Sequence, residues 1–197
     1  MGVRTHSAHG LDQGGWATYV VLGGRISEPS MLFRGRMQLC DLGIKGSEQP
    51  FHHAALMGLK LGEAFIKRCR KSSQDLAARA LEDITSTHGA LKGCCVLTGP
   101  ERPLPPLRAI LASHALQHAA EREFYREAVR DAAAGKGIAT EMVIEKELPI
   151  LAERLPGTEA SRRDTLSAYG GLVGSPWRQD EKLATVAAWL GLSMGRR

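Results

Sequence analysis

The sequence predicts one α/β domain in which antiparallel strands come first and helices then alternate with strands. In the N-terminal third, apolar and polar residues alternate, which is typical of half-buried strands. Further along, two long segments with helical apolar spacing are each followed by a short apolar run, which is typical of buried strands in a parallel sheet. The chain has 197 residues, enough for one sizeable core but short for two.

The N-terminal third predicts a tail and two or three antiparallel strands. We expect residues 1–15 to form a flexible tail. Residues 16–22 are β-branched and aromatic, and the pair Gly23-Gly24 that follows suits a two-residue hairpin turn. The alternation over 31–39 predicts a half-buried strand that contains Gly35, either as a bulge or as a turn between two shorter strands.

The middle of the chain predicts a helix, a strand and a second helix. Residues 51–88 keep an apolar stripe at helical spacing, with a kink or split expected at Ser72-Ser73 and an end at Gly89. Residues 91–97 form an apolar run that predicts a buried central strand. Residues 107–134 then predict the second long helix.

The C-terminal part repeats this alternation. Residues 138–144 predict a strand and 145–155 a short helix. Residues 157–174 have no clear pattern and are expected to lie on the surface, with at most a short helix. The last helix has Ser175 as its expected N-cap and Pro176 at its first position. The predicted organisation is thus a single domain over 16–192 with a basic tail over 193–197.

Composition narrows the class of protein. The net charge of +5 permits, but does not require, binding to nucleic acid. No apolar run reaches the roughly 18 residues of a membrane span, and residues 1–16 lack the apolar segment of a secretory signal. We therefore expect a cytoplasmic protein with no membrane partner. The four cysteines include no C-x-x-C pair, which favours free, buried thiols.

The order of these elements over 16–192 resembles the ribonuclease H-like superfamily. The resemblance implies a three-layer mixed sheet with antiparallel N-terminal strands and flanking helices, and nucleic acid as the partner or substrate. Members of the superfamily hold two metal ions with carboxylates in the first strand, at the end of the first parallel strand and in the last helix. Here residues 16–22 contain no acid, the parallel strand ends at Leu97-Thr98, and only Asp180 matches. The resemblance therefore implies a departed active site.

The second long helix carries the sharpest local signal. At about 100° per residue, His114, His118, Glu121 and Tyr125 fall within a sector of roughly 60°. The opposite side of this helix is charged, with Arg122, Glu123, Arg126, Glu127, Arg130 and Asp131. The quartet is therefore predicted to point inward. Inward polar groups need partners, so three interpretations stay open: a buried hydrogen-bond network, a metal site, or an acid–base pair.

Each interpretation assigns roles to particular residues. Two histidines at i and i+4 can chelate one metal, and a carboxylate one turn further on can complete or orient the site. The predicted metal ligands are His114, His118 and Glu121, with Mg²⁺, Mn²⁺ or Zn²⁺ as the ion, and Asp180 joins them as a catalytic group. The expected substrate contacts lie on four predicted elements: His53 at the start of the first long helix, Ser113 and Tyr125 on the second, Lys182 on the last helix and Arg36 on a strand face.

The leading functional hypothesis is a ribonuclease H-like protein that binds or cleaves nucleic acid, as a metal-dependent nuclease or phosphodiesterase if it is an enzyme. The alternative is a non-catalytic interaction or structural module of the same fold. A third hypothesis is a hydrolase of another class that uses Ser113 or a histidine base. The sequence contains no phosphate loop, nucleophile elbow or dinucleotide fingerprint.

Overall fold

A computed structural model describes residues 1–6, 14–100 and 102–194. Within these residues one mixed sheet has the strand order β3-β2-β1-β4-β5. Its strands are β1 Gly2–His6, β2 Trp16–Arg25, β3 Glu28–Gln38, β4 Gly93–Thr98 and β5 Ala139–Ile144. The first three strands pair antiparallel, and β1, β4 and β5 run parallel. The predicted α/β class is confirmed, and the strand order is consistent with ribonuclease H-like topology.

The strand β1 corrects the expectation of a flexible tail over 1–15. Residues 2–6 form the middle strand of the sheet, paired with β2 on one side and β4 on the other. Val3 is fully buried. A segment of five residues is too short for its alternation to stand out in the sequence. Residues 7–13 of the expected tail lie outside the described residues.

The hairpin between β2 and β3 is longer than predicted. Its turn lies at residues 26–27, because Arg25 still pairs with Glu28 and Gly24 is part of the ladder. The register irregularity lies at Val21/Leu22 instead of Gly35. Gly35 pairs with Tyr19, and a side-chain carbon at Gly35 would lie 3.0 Å from the tyrosine ring. The glycine therefore permits a close approach and makes no turn.

The helices are shorter and more divided than the sequence predicts. They are α1 Pro50–Ala55, α2 Leu59–His88, α3 Leu107–Leu111, α4 His114–Gly135, α5 Leu148–Ala152, α6 Glu159–Val173 and α7 Gln179–Gly191. The first predicted helix breaks at Gly58, which has a φ of 74°, and runs unbroken through Ser72-Ser73. The second breaks before Ser113, whose side chain accepts a hydrogen bond from the amide of Leu116 and caps α4.

The C-terminal helices also differ from the prediction. α6 is a 15-residue helix where a surface segment with at most a short helix was expected, and its pattern is weak because Tyr169 is its one buried residue. The N-cap of α7 is Arg178 instead of Ser175. Of the expected basic tail, residues 193 and 194 are described, and residues 195–197 are not. None of the described helices is long and apolar enough to cross a membrane.

The sheet separates two helical layers. One face packs against α2 and α4 through a core that includes Val3, Cys94 and Phe124. The other face packs against α7 and includes Cys95 and Leu97. Neighbouring Cys94 and Cys95 thus point to opposite faces. All four cysteines are free and buried, as predicted, and burial raises the pKa of the Cys94 thiol to about 11, which makes it a poor nucleophile.

Candidate metal centre

Three imidazole rings converge where the start of α4 meets α1. The ring centroids of His114 and His118 are 4.5 Å apart, and His52 lies 4.9 Å from the first and 4.5 Å from the second. One ring nitrogen from each histidine lies within 4.8 Å of the other two, so the triad can hold a metal ion. The i,i+4 spacing places His114 and His118 on one face of α4, and α1 brings His52 against that face.

Glu121 is the buried carboxylate behind this triad. Its side chain is fully buried. Its Oε1 atom accepts a hydrogen bond from Nδ1 of His52 at 2.8 Å and from the backbone amides of Phe51 at 3.2 Å and His52 at 3.3 Å. These amides belong to the first turn of α1 and have no acceptor within their own helix. Glu121 therefore caps α1 and orients His52 with the same oxygen.

The electrostatics of Glu121 follow from its position. Burial raises the pKa of its carboxyl group, and the hydrogen bonds from His52 and the α1 amides oppose that rise. Nδ1 of His118 lies 4.0 Å from Oε2, the other oxygen of this carboxylate. The negative charge therefore faces two of the three imidazoles, and a cation among the rings would be partly balanced by it.

The hydrogen bond to Glu121 fixes the tautomer of His52. Because Oε1 already accepts two backbone N–H groups, it acts as an acceptor toward Nδ1 as well, so Nδ1 carries the proton. In the neutral tautomer with the proton on Nδ1, Nε2 carries the lone pair. This nitrogen is buried and makes no hydrogen bond within the described part of the chain. A carboxylate that holds one nitrogen of a histidine while the other faces a metal is the usual arrangement behind zinc ligands.

Access to the triad is from solvent. The side chains of His52 and His118 are 18% and 20% exposed, and His114 is exposed. The cluster is therefore neither sealed in the core nor free on the surface. An ion held by these three nitrogens would keep at least one coordination position open to water or to a substrate.

Three of the expected substrate-binding residues lie in this helical layer but have structural partners. The hydroxyl of Tyr125 is in the core and donates a hydrogen bond to the carbonyl oxygen of Ser47 at 2.7 Å. Ser113 is the N-cap of α4. The ring of His53 packs against Phe65, with centroids 4.8 Å apart, outside the triad. Tyr125 and Glu121 therefore make buried hydrogen bonds of the kind that the first of the three interpretations expects.

Asp180 does not join the histidines, which corrects the prediction of one shared site. It lies on α7, on the opposite face of the sheet from α4. Arg4 on β1 pairs with Asp180 and also with Glu145, at 2.9 Å between Nε and Oε2. Arg36 lies over the ring of Trp16, and Lys182 is exposed on α7. A sequence pattern cannot tell which face of a sheet each helix will cover.

The end of the sheet where β1 and β4 finish offers an arginine in place of metal-binding acids. β1 supplies Arg4 and His6, and β4 ends at Thr98, so these described strands lack the carboxylates that the resemblance implies. The guanidinium of Arg4 forms ion pairs with both nearby acids, Glu145 and Asp180. Burial lowers the pKa of His6 to about 4, although Asp180 lies 3.7 Å away and opposes that shift.

The sequence places His52 beside His53 at the start of the predicted long helix, but His52 was not assigned to the metal site, and Arg4 was not considered at all. A single helix over 51–88 gave no reason to place His52 next to the second long helix, whereas the break at Gly58 makes α1 a separate element. The signal that could have revealed it is the glycine next to a short run that starts with Pro50. Arg4 was missed with the rest of β1.

No protein-family model matches this chain, and no curated protein is significantly similar to it. Its function is therefore inferred from the geometry of the triad and the charges around it.

Proposed function

We propose that this protein is a metal-dependent hydrolase that cleaves phosphodiester bonds in nucleic acid, with the ion held by His52, His114 and His118. The observation that carries the proposal is the convergence of three imidazoles in front of the buried carboxylate of Glu121. Three protein ligands with an open fourth position are typical of catalytic metal sites, whereas structural sites are closed by four.

The chemistry follows from the open position. A divalent metal held by His52, His114 and His118 would lower the pKa of a water in the open position to about 7 and so supply the nucleophile for attack on phosphorus. The bond from phosphorus to the sugar oxygen would break in that attack, and the proton lost by the water and the proton gained by the sugar oxygen would both be exchanged with solvent. Glu121 is not the base, because it is fully buried and its Oε1 atom accepts three N–H groups.

Nucleic acid is the proposed substrate because of the distribution of charge. The net charge is +5. Exposed cations lie on segments that adjoin or pack against the two helices of the triad: Lys45 before α1, Lys60 at the start of α2 and Arg108 on α3. None of these three has an ion pair within the described part of the chain. Unpaired cations of this kind favour a polyanion and make its binding salt-dependent.

Cleavage assays test the proposal. The purified protein is incubated with labelled single- and double-stranded DNA and RNA, and with bis(p-nitrophenyl) phosphate, in the presence of Mg²⁺, Mn²⁺ or Zn²⁺. We expect cleavage that a chelator abolishes and that falls at least about tenfold in His118→Ala, because a metal ligand is lost. The matched control is His88→Ala, since His88 packs against Phe33 at the far end of α2 and should leave the rate unchanged.

The absence of cleavage with every substrate and every metal contradicts the proposal. Equal rates for the unmodified protein and His118→Ala also contradict it, because the activity would then belong to a different site or to a contaminant.

A non-catalytic nucleic-acid-binding module is the second candidate function. It is favoured by the pairing of Arg4 with both Asp180 and Glu145, which occupies the acids at the end of the sheet where the resemblance implies metal ions. This candidate predicts salt-dependent binding without cleavage, and the same affinity in His118→Ala.

A further inference from the structure

We infer that the ion at His52, His114 and His118 is zinc, and that Glu121 is a positioning residue that acts on it through His52. The inference rests on the proposed function in that it names the ion of the same site, but it is tested by binding, without reference to catalysis.

The donor atoms favour zinc over the other candidate ions. The triad offers three imidazole nitrogens, which suit borderline-soft ions such as Zn²⁺. Mg²⁺ prefers oxygen ligands in an octahedron. The nearest carboxylate, Glu121, has its Oε1 atom taken up by three N–H groups, so it does not supply the oxygen-rich shell that Mg²⁺ needs.

The spacing of the rings fits a tetrahedral ion after a small adjustment. Zn–N bonds of about 2.0–2.1 Å place two ligand nitrogens roughly 3.3 Å apart. The triad nitrogens lie within 4.8 Å of one another. Closure therefore requires movements on the order of 1 Å, which small side-chain rotations of the three histidines can supply.

Glu121 prepares His52 for this role in two ways. It keeps the proton on Nδ1, so Nε2 presents its lone pair, and it anchors the backbone of α1 through the amides of Phe51 and His52. Nε2 of His52 is buried without a hydrogen-bond partner among the described residues. A buried acceptor that lacks a donor destabilises the fold unless a ligand approaches it.

Metal-binding measurements on the purified apoprotein test the inference. Zinc affinity is measured by competition with a chelating dye, and Co²⁺ reports geometry through the visible bands of a tetrahedral site. We expect one Zn²⁺ per chain, a tetrahedral Co²⁺ spectrum, and no displacement by excess Mg²⁺. His114→Ala should lose the site while staying folded, because His114 is exposed. His88→Ala is the control and should bind as the unmodified protein does.

The positioning role of Glu121 is tested by Glu121→Gln. This variant keeps an oxygen acceptor of the same size but loses the charge, so zinc affinity should fall about 10–100-fold at unchanged stoichiometry. If the variant does not fold, the ¹⁵N shifts of His52 in the unmodified protein decide the matter. The tautomer with the proton on Nδ1 supports the role, and the opposite tautomer overturns it.

Several results overturn the inference. Zinc that binds no more tightly than Mg²⁺, or a His114→Ala variant that binds like the unmodified protein, shows that the triad is not a zinc site. Unchanged zinc affinity in Glu121→Gln removes the positioning role. Zinc binding without cleavage contradicts the proposed function alone, whereas Mg²⁺-dependent cleavage that needs His118 but occurs without zinc binding contradicts this inference alone.

Discussion

Two histidines show how the same side chain is given different chemistry by its neighbours. The ring of His52 has a carboxylate at 2.8 Å that fixes its proton on Nδ1. The ring of His6 stacks on Trp16, with centroids 3.8 Å apart, and its neighbour Asp180 is engaged by Arg4. Burial therefore dominates at His6 and favours the neutral ring. His52 is prepared as a ligand, and His6 is a packing residue.

His6 should make the protein less stable in acid. Burial lowers its folded-state pKa from 6.5 to about 4, with Arg4 and Arg36 adding to the effect and Asp180 and Glu181 opposing it. Between these values the unfolded chain binds a proton that the folded protein does not, so stability is lost as the pH falls from 6.5 to about 4. We expect a loss of about 1–2 kcal/mol, reduced by solvent around a partly exposed ring.

Urea unfolding at pH values of about 7, 5.5 and 4, which bracket the titration of His6, measures this loss of stability. His6→Gln should show a shallower fall in unfolding free energy over this range than the unmodified protein, and His88→Gln should not. An identical pH dependence in His6→Gln and the unmodified protein contradicts the assignment.

At the scale of elements, the sheet and α7 meet too closely for a side chain on one strand. A side-chain carbon added to Gly2 on β1 would lie 1.9 Å from the carbonyl oxygen of Ala184 and 2.4 Å from the amide nitrogen of Ala188. Both contacts are with helix backbone, which cannot rotate away. The glycine is thus what allows α7 to cover the middle of the sheet.

Gly2→Ala should therefore destabilise the fold by about 3 kcal/mol, because β1 or α7 must shift to admit the methyl group. Gly171→Ala on α6 is the matched control. An added carbon there meets nothing within 4 Å, so alanine should stabilise the helix by up to about 1 kcal/mol. Thermal or urea unfolding compares the two variants. A Gly2→Ala protein as stable as the unmodified one contradicts the packing described for α7.

The elements that the sequence predicted well are those whose pattern is complete within one segment. β4 is buried along its whole length and β5 follows a helix that ends in glycines, so both were predicted to within two residues. The breaks at Gly58 and Ser113 were missed because an apolar stripe continues across each of them. β1 was missed because it is short and its burial depends on strands far away in the chain.

In the candidate site, too, only the residues that share one segment could be predicted. His114, His118 and Glu121 share one face of α4, so their helical spacing revealed them. The third imidazole, His52, comes from a separate short helix and is brought in only by tertiary packing. Asp180 was joined to the site because element order carries no information about which side of the sheet a helix covers.

At the scale of the whole molecule, the sheet separates the histidine triad on one face from Asp180 on the other. The layer that contains α1 and α4 presents nitrogen donors in front of a buried carboxylate. The layer that contains α7 presents Asp180, which is paired with Arg4. The end of the sheet that the ribonuclease H-like resemblance associates with metal ions is therefore occupied by an ion pair. The candidate metal centre lies instead between helices on the opposite face.

Anomalous diffraction from crystals grown with zinc tests this central claim most directly. Data collected on both sides of the zinc absorption edge locate the ion without any assumption about activity. We expect a peak about 2.0–2.1 Å from one ring nitrogen of each of His52, His114 and His118, with Nε2 as the ligand atom of His52. A zinc peak at Asp180 and Glu145, or no peak within the triad, would contradict it.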